Sequence, residues 1–457
     1  MFKPPSLVQL PGVRGMAARP GFRHGVHPPD AKELSRARTI RRMPFPAEVV
    51  LPLRQHTGKP ARPLVKPGDR VERGDKIAAA DGFVSVPIHA SAAGVVKSIG
   101  WWPHADGTMA EAIRIQVARF SAQLPRPRMV PHWEGLTPAQ VVAAVQEAGV
   151  VGLGGAAFPA HVKLQPPPDC PIEFLLVNGA ECEPYLTSDH RVMVEYAERV
   201  WFGVRIMMHA LGVPRCVVGV EKNKPDAIEA LRAAAPTGLD VRVEALTVKY
   251  PQGAEKMLIH AVTGREVPSG KLPMHVGTVV QNVGSIAAIA EVFETGMPLV
   301  ERIVSVTGPA IKDPQNLIVP VGTKLRDVLD YCGGLTEDVA EIVFGGPMMG
   351  IAQPDLDAPL IKGTSGVVAL TKAQARPRTV HPCIQCARCL DACPVFLNPS
   401  KLGRLAQAGR YEEMAKHHLA DCMLCGSCSY VCPSSIPLSQ MFALAKAAER
   451  RRKEQAA

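Results

Sequence analysis

The chain has 457 residues, of which 47% are hydrophobic, so it is neither a disordered chain nor a protein with one compact core. Aromatic residues make up only 5%, which argues against a protein that stacks the bases of single-stranded nucleic acid. The formal net charge of +10 favours an anionic partner when it is taken alone.

Neither a leader nor a membrane span is expected from the sequence. Met1–Pro20 carries basic residues but no unbroken apolar segment, unlike a signal peptide. The longest apolar candidate, Val276–Phe293, is interrupted by polar and small residues and is not expected to span a membrane. We therefore expect a protein in the cytosol or on the cytosolic face of a membrane. In that reducing compartment, twelve cysteines indicate metal ligands before disulfides.

The N-terminal quarter of the chain changes character near residue 46. Residues 1–45 are rich in Pro and Arg and predict an irregular arm or docking segment. Residues 46–125 contain two strand-like runs, Val49–Leu53 and Val84–Pro87, separated by Gly-Asp turn signals. We expect a small β domain there.

Two phrases of this β domain, VKPGDRVERGDKIAAADG and SVPIHASAAGVVKSIG, resemble the two halves of a biotinyl/lipoyl-type barrel-sandwich hybrid. That fold presents a modified lysine at a hairpin tip. The corresponding junction, Ala80–Phe83, contains no lysine. The sequence therefore favours a structural use of the fold over a swinging-arm carrier.

From residue 136 to 299, strands alternate with helices, which predicts an α/β core with a mainly parallel sheet. Its first helix, Thr137–Ala148, begins after a Thr N-cap. The other predicted elements are strands Ile172–Val177, Cys216–Val220 and Val241–Val248 and helices Val192–Leu211, Pro225–Ala234, Ala254–Val262 and Val283–Phe293. Residues 300–372 predict a small β-grasp-type module with one helix, Leu325–Tyr331, and residues 376–457 a helical domain that ends in a basic helix.

The strongest signal is a cysteine run that occurs twice in the C-terminal domain. The two copies are Cys383-x₂-Cys386-x₂-Cys389-x₃-Cys393-Pro394 and Cys422-x₂-Cys425-x₂-Cys428-x₃-Cys432-Pro433. Each copy has the spacing of a bacterial-type [4Fe–4S] ferredoxin, in which three close cysteines surround one cluster and the fourth binds the other. We expect the fourth cysteine to start a helix, with its proline in the first turn.

The crossed arrangement predicts two sets of four ligands. Cluster 1 takes Cys383, Cys386, Cys389 and Cys432, and cluster 2 takes Cys393, Cys422, Cys425 and Cys428. Two zinc sites or disulfides are the alternatives. Two complete copies of the run, each with its proline, argue against both alternatives. Each cluster adds a charge of roughly −2 to the chain. The basic composition therefore gives little support to nucleic-acid binding.

A glycine-rich segment, GLGGAAFPAHVKL (Gly152–Leu164), follows the first helix of the core. Its glycines allow the backbone to approach an anionic ring system, and Lys163 can offset negative charge. A nucleotide site and a plain tight turn are both compatible with this pattern. Glu181 and Glu183 follow a predicted strand, where parallel sheets bind ligands and where carboxylates suit ribityl or ribose hydroxyls; surface charge is the alternative.

Taken together, these features resemble the RnfC (also called RsxC) family of the Rnf electron transport complexes over nearly the whole chain. Specific phrases are RHGVHPPDAKELS, KYPQGAEKMLIHAVTGREVPSG, VFGGPMMGIAQ and KGTSGVVAL, together with both cysteine runs. The core more distantly resembles the NADH-oxidising flavin subunit of respiratory complex I. The resemblance implies noncovalent FMN, NADH as substrate, and a peripheral position on the cytoplasmic side of the bacterial inner membrane. It also implies integral membrane subunits, a ferredoxin-like subunit and possible soluble ferredoxin as partners.

The resemblance also implies roles for individual residues, with no acid–base catalytic residue among them. FMN would be held by Gly152, Gly154, Gly155 and Lys163, then by Asn178, Ala180, Glu181 and Cys182, and finally by Gly253, Glu255, Gln281, Asn282 and Ser285; Phe158 and Glu183 would contact NADH.

The sequence departs from this family at two positions of the glycine-rich segment. Ala157 stands where many relatives have glycine, and Ala160 stands where they have threonine. The added methyl group can crowd a backbone with positive φ, and the lost hydroxyl removes one possible hydrogen bond. Both changes weaken the case for nicotinamide binding more than the case for FMN.

Three functions remain open at this point. The first is an oxidoreductase subunit that takes electrons from NADH through FMN to two [4Fe–4S] clusters in an ion-translocating membrane complex. The second is a relay of electrons through the clusters without catalysis. The third is a related cobalamin reductase of a bacterial microcompartment, against which the N-terminal phrases argue.

Overall fold

The computed structural model describes residues 21–124, 132–376 and 378–456, with side chains described up to residue 453. Residues 1–20, which include the segment weighed as a signal peptide and part of the predicted arm, lie outside the described residues.

The described part of the arm is not irregular throughout. Strand β1 (Ile40–Arg42) pairs in parallel with residues 316–318 of the β-grasp-type region. Val26 forms an antiparallel bridge with Tyr250 of the core, and the Gly25 N–H donates to the Ala392 carbonyl in the cysteine-bearing domain. The arm therefore contacts three domains, and its strand forms because it completes the edge of an existing sheet.

The N-terminal β domain consists of two small sheets that share one apolar core, as expected for a barrel-sandwich-like fold. The core includes Val49, Ile77, Ile88 and Ile113. A four-stranded antiparallel sheet has the order β2-β8-β7-β4, and a three-stranded sheet has the order β3-β5-β6. The strands are β2 (Glu48–Pro52), β3 (Arg62–Pro63), β4 (Arg70–Val71), β5 (Lys76–Ala79), β6 (Ile88–His89), β7 (Gly94–Pro103) and β8 (Met109–Val117).

The predicted strand Val84–Pro87 is wrong, and the residues that pair are Ile88–His89. The backbone groups of the predicted run bond elsewhere. The Val84 carbonyl accepts the Lys59 N–H, and the Val86 N–H donates to the ring of His56. Pro87 has no N–H to offer to a neighbouring strand.

The α/β core confirms the predicted parallel sheet. Its order is β11-β10-β9-β12, and all three pairings are parallel. The central strand β9 is buried on both faces, with Leu175 and Val177 in one apolar cluster and Phe174 and Leu176 in another, which a sheet covered by helices on both faces requires. The elements are α1 (Pro138–Glu147), α2 (Ala160–Lys163), β9 (Phe174–Gly179), α3 (Ser188–Glu195), α4 (Ala197–Leu211), β10 (Arg215–Glu221), α5 (Pro225–Ala233), β11 (Asp240–Leu246), α6 (Glu255–Thr263), β12 (Thr278–Asn282) and α7 (Val283–Thr295).

Local signals explain some element boundaries of the core but not all of them. Thr137 caps α1 with a full capping box, as predicted. The single helix predicted over Val192–Leu211 is wrong, because α3 begins earlier, at Ser188, and Tyr196 leaves helical geometry between α3 and α4. At that break, the Glu195 carboxylate accepts the Ile40 N–H of the arm. The break between α3 and α4 thus coincides with a contact between residues that are far apart in the sequence.

The fourth region is a mixed six-stranded sheet that packs against one helix. The sheet order is β1-β14-β13-β17-β15-β16, and the helix α8 (Leu325–Tyr331) has its predicted bounds. The strands are β13 (Glu301–Thr307), β14 (Gln315–Pro320), β15 (Val339–Phe344), β16 (Ile351–Ala352) and β17 (Gly366–Thr371).

The C-terminal domain is helical, as predicted, and it carries both cysteine runs. Its helices are α9 (Arg388–Asp391), α10 (Pro399–Gln407), α11 (Tyr411–Ala415), α12 (Ser427–Tyr430) and α13 (Leu438–Ala456). Over the described ranges of the chain, no helix is both long and apolar enough to cross a membrane.

The expectation that each fourth cysteine starts a helix is wrong. Cys393 is followed by a turn, and α10 begins at Pro399 after the N-cap Asn398. Phe396 and Ser435, each three residues after a fourth cysteine, have φ of +56° and +53°. A left-handed residue cannot continue an α-helix, so the helices start beyond these positions.

Candidate functional site

A cavity of about 360 Å³ lies at the carboxyl ends of β9 and β12, where parallel sheets bind ligands. It brings together most of the side chains and glycines expected at a flavin site: Gly152, Gly154, Phe158, Lys163, Asn178, Ala180, Glu181, Cys182, Glu183, Gly253, Glu255, Gln281 and Asn282. Gly155 and Ser285 do not line it. The buried hydroxyl of Ser285 instead accepts the Leu153 N–H at 2.8 Å, and so it fixes the backbone of the glycine-rich loop without lining the cavity.

The glycine-rich loop, residues 152–158, is closed by its own backbone. The Gly152 N–H donates to the Phe158 carbonyl at 2.7 Å, and Val151 and Pro159 form a β-bridge at its base. Arg302 of β13 donates to the Leu153 carbonyl at 3.0 Å. Ala157 has a φ of +48°, so this alanine occupies a backbone region that favours glycine.

The loop after β9 is packed against the turn that precedes α6. The Asn178 side chain donates to the Gly253 carbonyl at 2.7 Å, and the Gly253 N–H donates to the Cys182 sulfur at 3.3 Å. A Cβ atom on Gly253 would lie 2.2 Å from the Ala180 carbonyl oxygen, so this approach requires glycine. Burial raises the pKa of the Cys182 thiol, which keeps it protonated and unreactive.

The charged side chains in the wall are already paired with protein groups. Lys163 donates to Glu255 at 2.5 Å and to the Val280 carbonyl at 3.0 Å. The Glu181 carboxylate accepts the Asp189 N–H at 2.9 Å at the start of α3. Glu183 accepts the N–H groups of residues 348 and 349, and burial raises its pKa to about 7. Glu181 and Glu183, which were predicted to bind a ligand, therefore also stabilise the cavity wall through hydrogen bonds to the backbone.

Gln281 shows that the wall can accept a polar ligand. Its side chain is 1% exposed and lines the cavity, yet its amide nitrogen has no hydrogen-bond partner among the described residues. A buried donor without a partner is unfavourable by about 1–3 kcal/mol, and a bound acceptor would relieve that penalty. The glycine backbone, Lys163 and this free donor fit the carbonyl-rich, anionic FMN molecule.

Sequence reasoning missed several residues of the cavity wall, among them Asp189, Tyr250, Met349 and Met423. Asp189 accepts a hydrogen bond from Asn282 at 2.6 Å, and burial and the neighbouring Glu181 raise its pKa to about 7. Tyr250 lies in the phrase KYPQGAEKMLIHAVTGREVPSG, which carries part of the resemblance, but nothing in that phrase indicated that Tyr250 itself would line the cavity. Met349 lies in the phrase VFGGPMMGIAQ and Met423 lies between Cys422 and Cys425, but neither pattern placed a methionine in the cavity wall.

The two predicted sets of cysteines are each brought together. Cys383, Cys386, Cys389 and Cys432 line one cavity of the C-terminal domain. Burial raises the pKa of the Cys428 thiol, and the nearby Cys422, Cys425 and Cys393 raise it further. In each set, three cysteines come from one run and the fourth comes from the other run.

The arrangement of the cysteines also bears on the zinc and disulfide alternatives. All twelve cysteines are free. Among the described residues, no three Cys, His, Asp or Glu side chains are grouped for a single metal ion. A single zinc ion needs thiolates within about 2.3 Å of one point. Four cysteines around one cavity are the ligand set of a [4Fe–4S] cluster.

The two sets differ in their exposure to solvent. Cys393, Cys425 and Cys428 are 7–8% exposed, whereas Cys383 and Cys386 lie at the surface. The buried set adjoins the cavity in the core. The Tyr250 hydroxyl, which lines that cavity, donates to the Cys425 carbonyl at 2.7 Å.

Four parts of the chain match known families. Residues 20–119 match the RnfC barrel sandwich hybrid domain, and residues 145–291 match the Nuo51 FMN-binding domain. Residues 303–352 match the SLBB domain, and residues 379–436 match the 4Fe-4S dicluster domain. The predicted multidomain fold class and its FMN and iron–sulfur cofactors are confirmed.

Curated relatives are similar along most of the chain, and each is the C component of an oxidoreductase complex. The chain is 47% identical over 400 residues to that component of the proton-translocating ferredoxin:NAD(+) oxidoreductase complex of Clostridium ljungdahlii, with 87% of each chain covered. It is 42% identical to that of the Na(+)-translocating complex of Acetobacterium woodii, covering 88% of this chain and 90% of the relative. It is 41% identical to that of the ion-translocating oxidoreductase complex of Rhodobacter capsulatus, covering 93% and 82%.

Among solved structures, the fold is similar to a chain of an NAD+-reducing [NiFe]-hydrogenase in its air-oxidized state. The TM-score is 0.50 at 21% identity, and the match covers 69% of this chain and 64% of the other. This similarity concerns the fold alone.

Proposed function

Because this chain belongs to the RnfC family of ion-translocating oxidoreductase complexes, we propose that it is the electron-input subunit of such a complex. It would exchange electrons with NADH at the core cavity and relay them through two [4Fe–4S] clusters. FMN supplies the conversion between a hydride, which carries two electrons, and clusters that accept one electron each. The observation that carries this proposal is the direct contact between the cavity wall and the buried cysteine set through Tyr250.

In this proposal, backbone and side chains of the cavity wall hold the flavin. The glycine-rich loop and Lys163 would bind on one side, the Asn178–Cys182 segment on a second, and Gly253, Glu255, Gln281 and Asn282 on a third. Phe158 and Glu183 would lie against the nicotinamide. Gly155 and Ser285 would shape the loop without contacting the ligand.

We assign the cluster ligands as the crossed sets. The exposed set is Cys383, Cys386, Cys389 and Cys432 for cluster 1, and the buried set is Cys393, Cys422, Cys425 and Cys428 for cluster 2. The buried set is adjacent to the flavin cavity and the exposed set is open to solvent. Electrons would therefore pass from the cavity to cluster 2 and then to cluster 1, where a partner takes them.

The proposed partners are the integral membrane subunits of the complex and a ferredoxin-like subunit, with soluble ferredoxin as a further candidate. The proposed location is the cytoplasmic side of the bacterial inner membrane. The relatives are named for proton and Na⁺ translocation. The proposed domains are the arm (1–45), the barrel-sandwich-like domain (46–125), the α/β core (136–299), the β-grasp-type module (300–372) and the cysteine-bearing helical domain (376–457).

A second candidate function is a relay that carries electrons without oxidising NADH. The observation in its favour is the positive φ of Ala157, an unfavourable conformation in the glycine-rich loop that borders the cavity. In that case the cavity would be a scaffold, and a partner protein would reduce the clusters.

An anaerobic NADH titration followed by visible absorbance distinguishes the two functions, once iron and flavin have been quantified. The proposal predicts one FMN and about eight iron atoms per chain, with NADH bleaching both the flavin and the cluster absorbance. If iron is complete, flavin is absent, and only dithionite bleaches the clusters, the protein is a relay.

A further inference from the structure

The N-terminal β domain, whose hairpin junction Ala80–Phe83 contains no lysine, contacts the glycine-rich loop of the flavin cavity. The Thr57 hydroxyl donates to the Ala156 carbonyl at 2.9 Å, and the Thr57 N–H donates to the Ala157 carbonyl at 3.1 Å. Two consecutive carbonyls of the loop are thus held by one residue that precedes them by about 100 positions in the chain. No residue of the β domain's described part lines the cavity, so any effect of Thr57 on a ligand must act through the loop.

The hairpin tip of the same domain makes a second contact just beyond the loop. The His161 Nε2 atom of α2 donates to the carbonyl of Phe83, the last residue of the lysine-free junction, at 2.9 Å. The two rings are in edge-to-face contact, with 6.0 Å between their centres. The tip also binds the Thr57 turn, because the Lys59 N–H donates to the Val84 carbonyl. The Thr57 turn and the tip therefore act as one support.

The loop needs such support because its conformation is not the one that its residues prefer. Ala157 has a φ of +48°, which is unfavourable for a residue with a side chain. The carbonyls of Ala156 and Ala157 flank the Cα atom of Ala157, so hydrogen bonds to both of them oppose relaxation of the Ala157 backbone. Ala156 is exposed whereas Ala157 is buried, so water can compete for the Ala156 carbonyl that the Thr57 hydroxyl binds.

We propose that Thr57 is a positioning residue for flavin binding, and that the barrel-sandwich-like domain serves as a fixed support for the flavin loop in place of a lysine carrier. This inference rests on the proposed function, since it assumes that the cavity binds FMN. The proposed interaction is the hydrogen bond from the Thr57 hydroxyl to the carbonyl of Ala156, a residue that lines the cavity.

The test compares three variants of the cluster-loaded protein after its flavin has been removed. Thr57→Val keeps the shape but lacks the hydroxyl, and Thr57→Ser keeps the hydroxyl. Thr108→Val is the matched control, because Thr108 is an exposed threonine of the same domain whose hydroxyl bonds to Asp106 away from the loop. FMN affinity is measured by fluorescence quenching, and hydrogen–deuterium exchange is measured on residues 152–158 without flavin.

We expect Thr57→Val to weaken FMN binding about two- to tenfold, the effect of one hydrogen bond, and to speed exchange of the loop. Thr57→Ser and Thr108→Val should stay within about twofold of the parent protein. The inference is overturned if Thr57→Val binds FMN like the parent, or if Thr57→Ser is equally weakened. If the parent itself binds no FMN, the proposed function fails and the flavin role of Thr57 fails with it.

Discussion

At the scale of single residues, the glycine-rich loop meets the KGTSG segment at one close contact. A Cβ atom placed on Gly363 would lie 2.9 Å from the Cβ of Ala157. The missing side chain at Gly363 therefore makes room for the alanine at 157. The close approach leaves space for a methyl group at 157 but not for a second one at 363.

The contact predicts a double-mutant coupling. Gly363→Ala should destabilise the protein by about 1–3 kcal/mol, since overpacking displaces neighbouring groups. In an Ala157→Gly background the same substitution should be less harmful, because the opposing methyl group is gone. Thermal midpoints of the four proteins provide the measurement. Equal effects of Gly363→Ala in both backgrounds would show that the two residues do not interact.

Lys362 is a buried lysine whose amine has carbonyl oxygens, and no carboxylate, as hydrogen-bond partners within the described part of the chain. Its amine donates to the carbonyls of Pro87 and Gly149 and so joins the β domain to the core. Burial lowers the pKa of Lys362 to about 7. Between about pH 7 and the ordinary lysine pKa, the unfolded chain binds the extra proton, so the stability of the folded protein rises with pH in that range.

We therefore predict that the stability of the parent protein depends on pH through Lys362 and that the substitution Lys362→Met removes this contribution. The thermal midpoint of the parent, relative to that of Lys362→Met, should increase from pH 6 to pH 9. The slope is at most about 1.4 kcal/mol per pH unit for one group. A parallel pH profile for the two proteins would contradict a neutral amine at this junction. Lys324→Met, at a lysine paired with Glu48 on another surface, is the control.

At the scale of elements, the most reliable sequence predictions came from spacing and from alternation. The cysteine runs and the helix α8 follow from patterns within about 10–20 residues, and the parallel sheet follows from the alternation of strands and helices along the core. Tertiary contacts decided the rest. Pairing of the arm strand β1, the break at Tyr196 and the loss of the Val84–Pro87 strand depend on partners that are distant in the sequence.

The crossed assignment of the fourth cysteines gives a prediction at this scale. Cys432→Ser should destroy the cluster of Cys383, Cys386 and Cys389 and leave about half of the iron. Anaerobic alkylation followed by mass spectrometry should then label those three cysteines. Cys393→Ser is the mirror control and should expose the other three. Labelling of Cys422, Cys425 and Cys428 in the Cys432→Ser variant would contradict the crossed sets.

At the scale of the whole molecule, one site is assembled from four regions of the chain. The core supplies the sheet edge, and the β domain supplies the contacts of Thr57 with the loop. Residues 348 and 349 hold Glu183, and the cysteine-bearing domain adds Met423 to the wall. The sequence predicted most of the wall within the core, through the glycine-rich segment and the resemblance. It did not predict the residues that reach the cavity from other domains, because their positions depend on domain packing.

The central claim is a path that runs from the cavity through the buried cysteine set to the exposed set. Stopped-flow absorbance after anaerobic mixing with NADH tests it most directly in two variants that each lack one cluster. Cys386→Ser, which removes the exposed cluster, should keep rapid reduction of the remaining cluster. Cys428→Ser, which removes the buried cluster, should still reduce flavin but leave the remaining cluster oxidised on that timescale. Fast cluster reduction in Cys428→Ser together with slow reduction in Cys386→Ser would contradict the path.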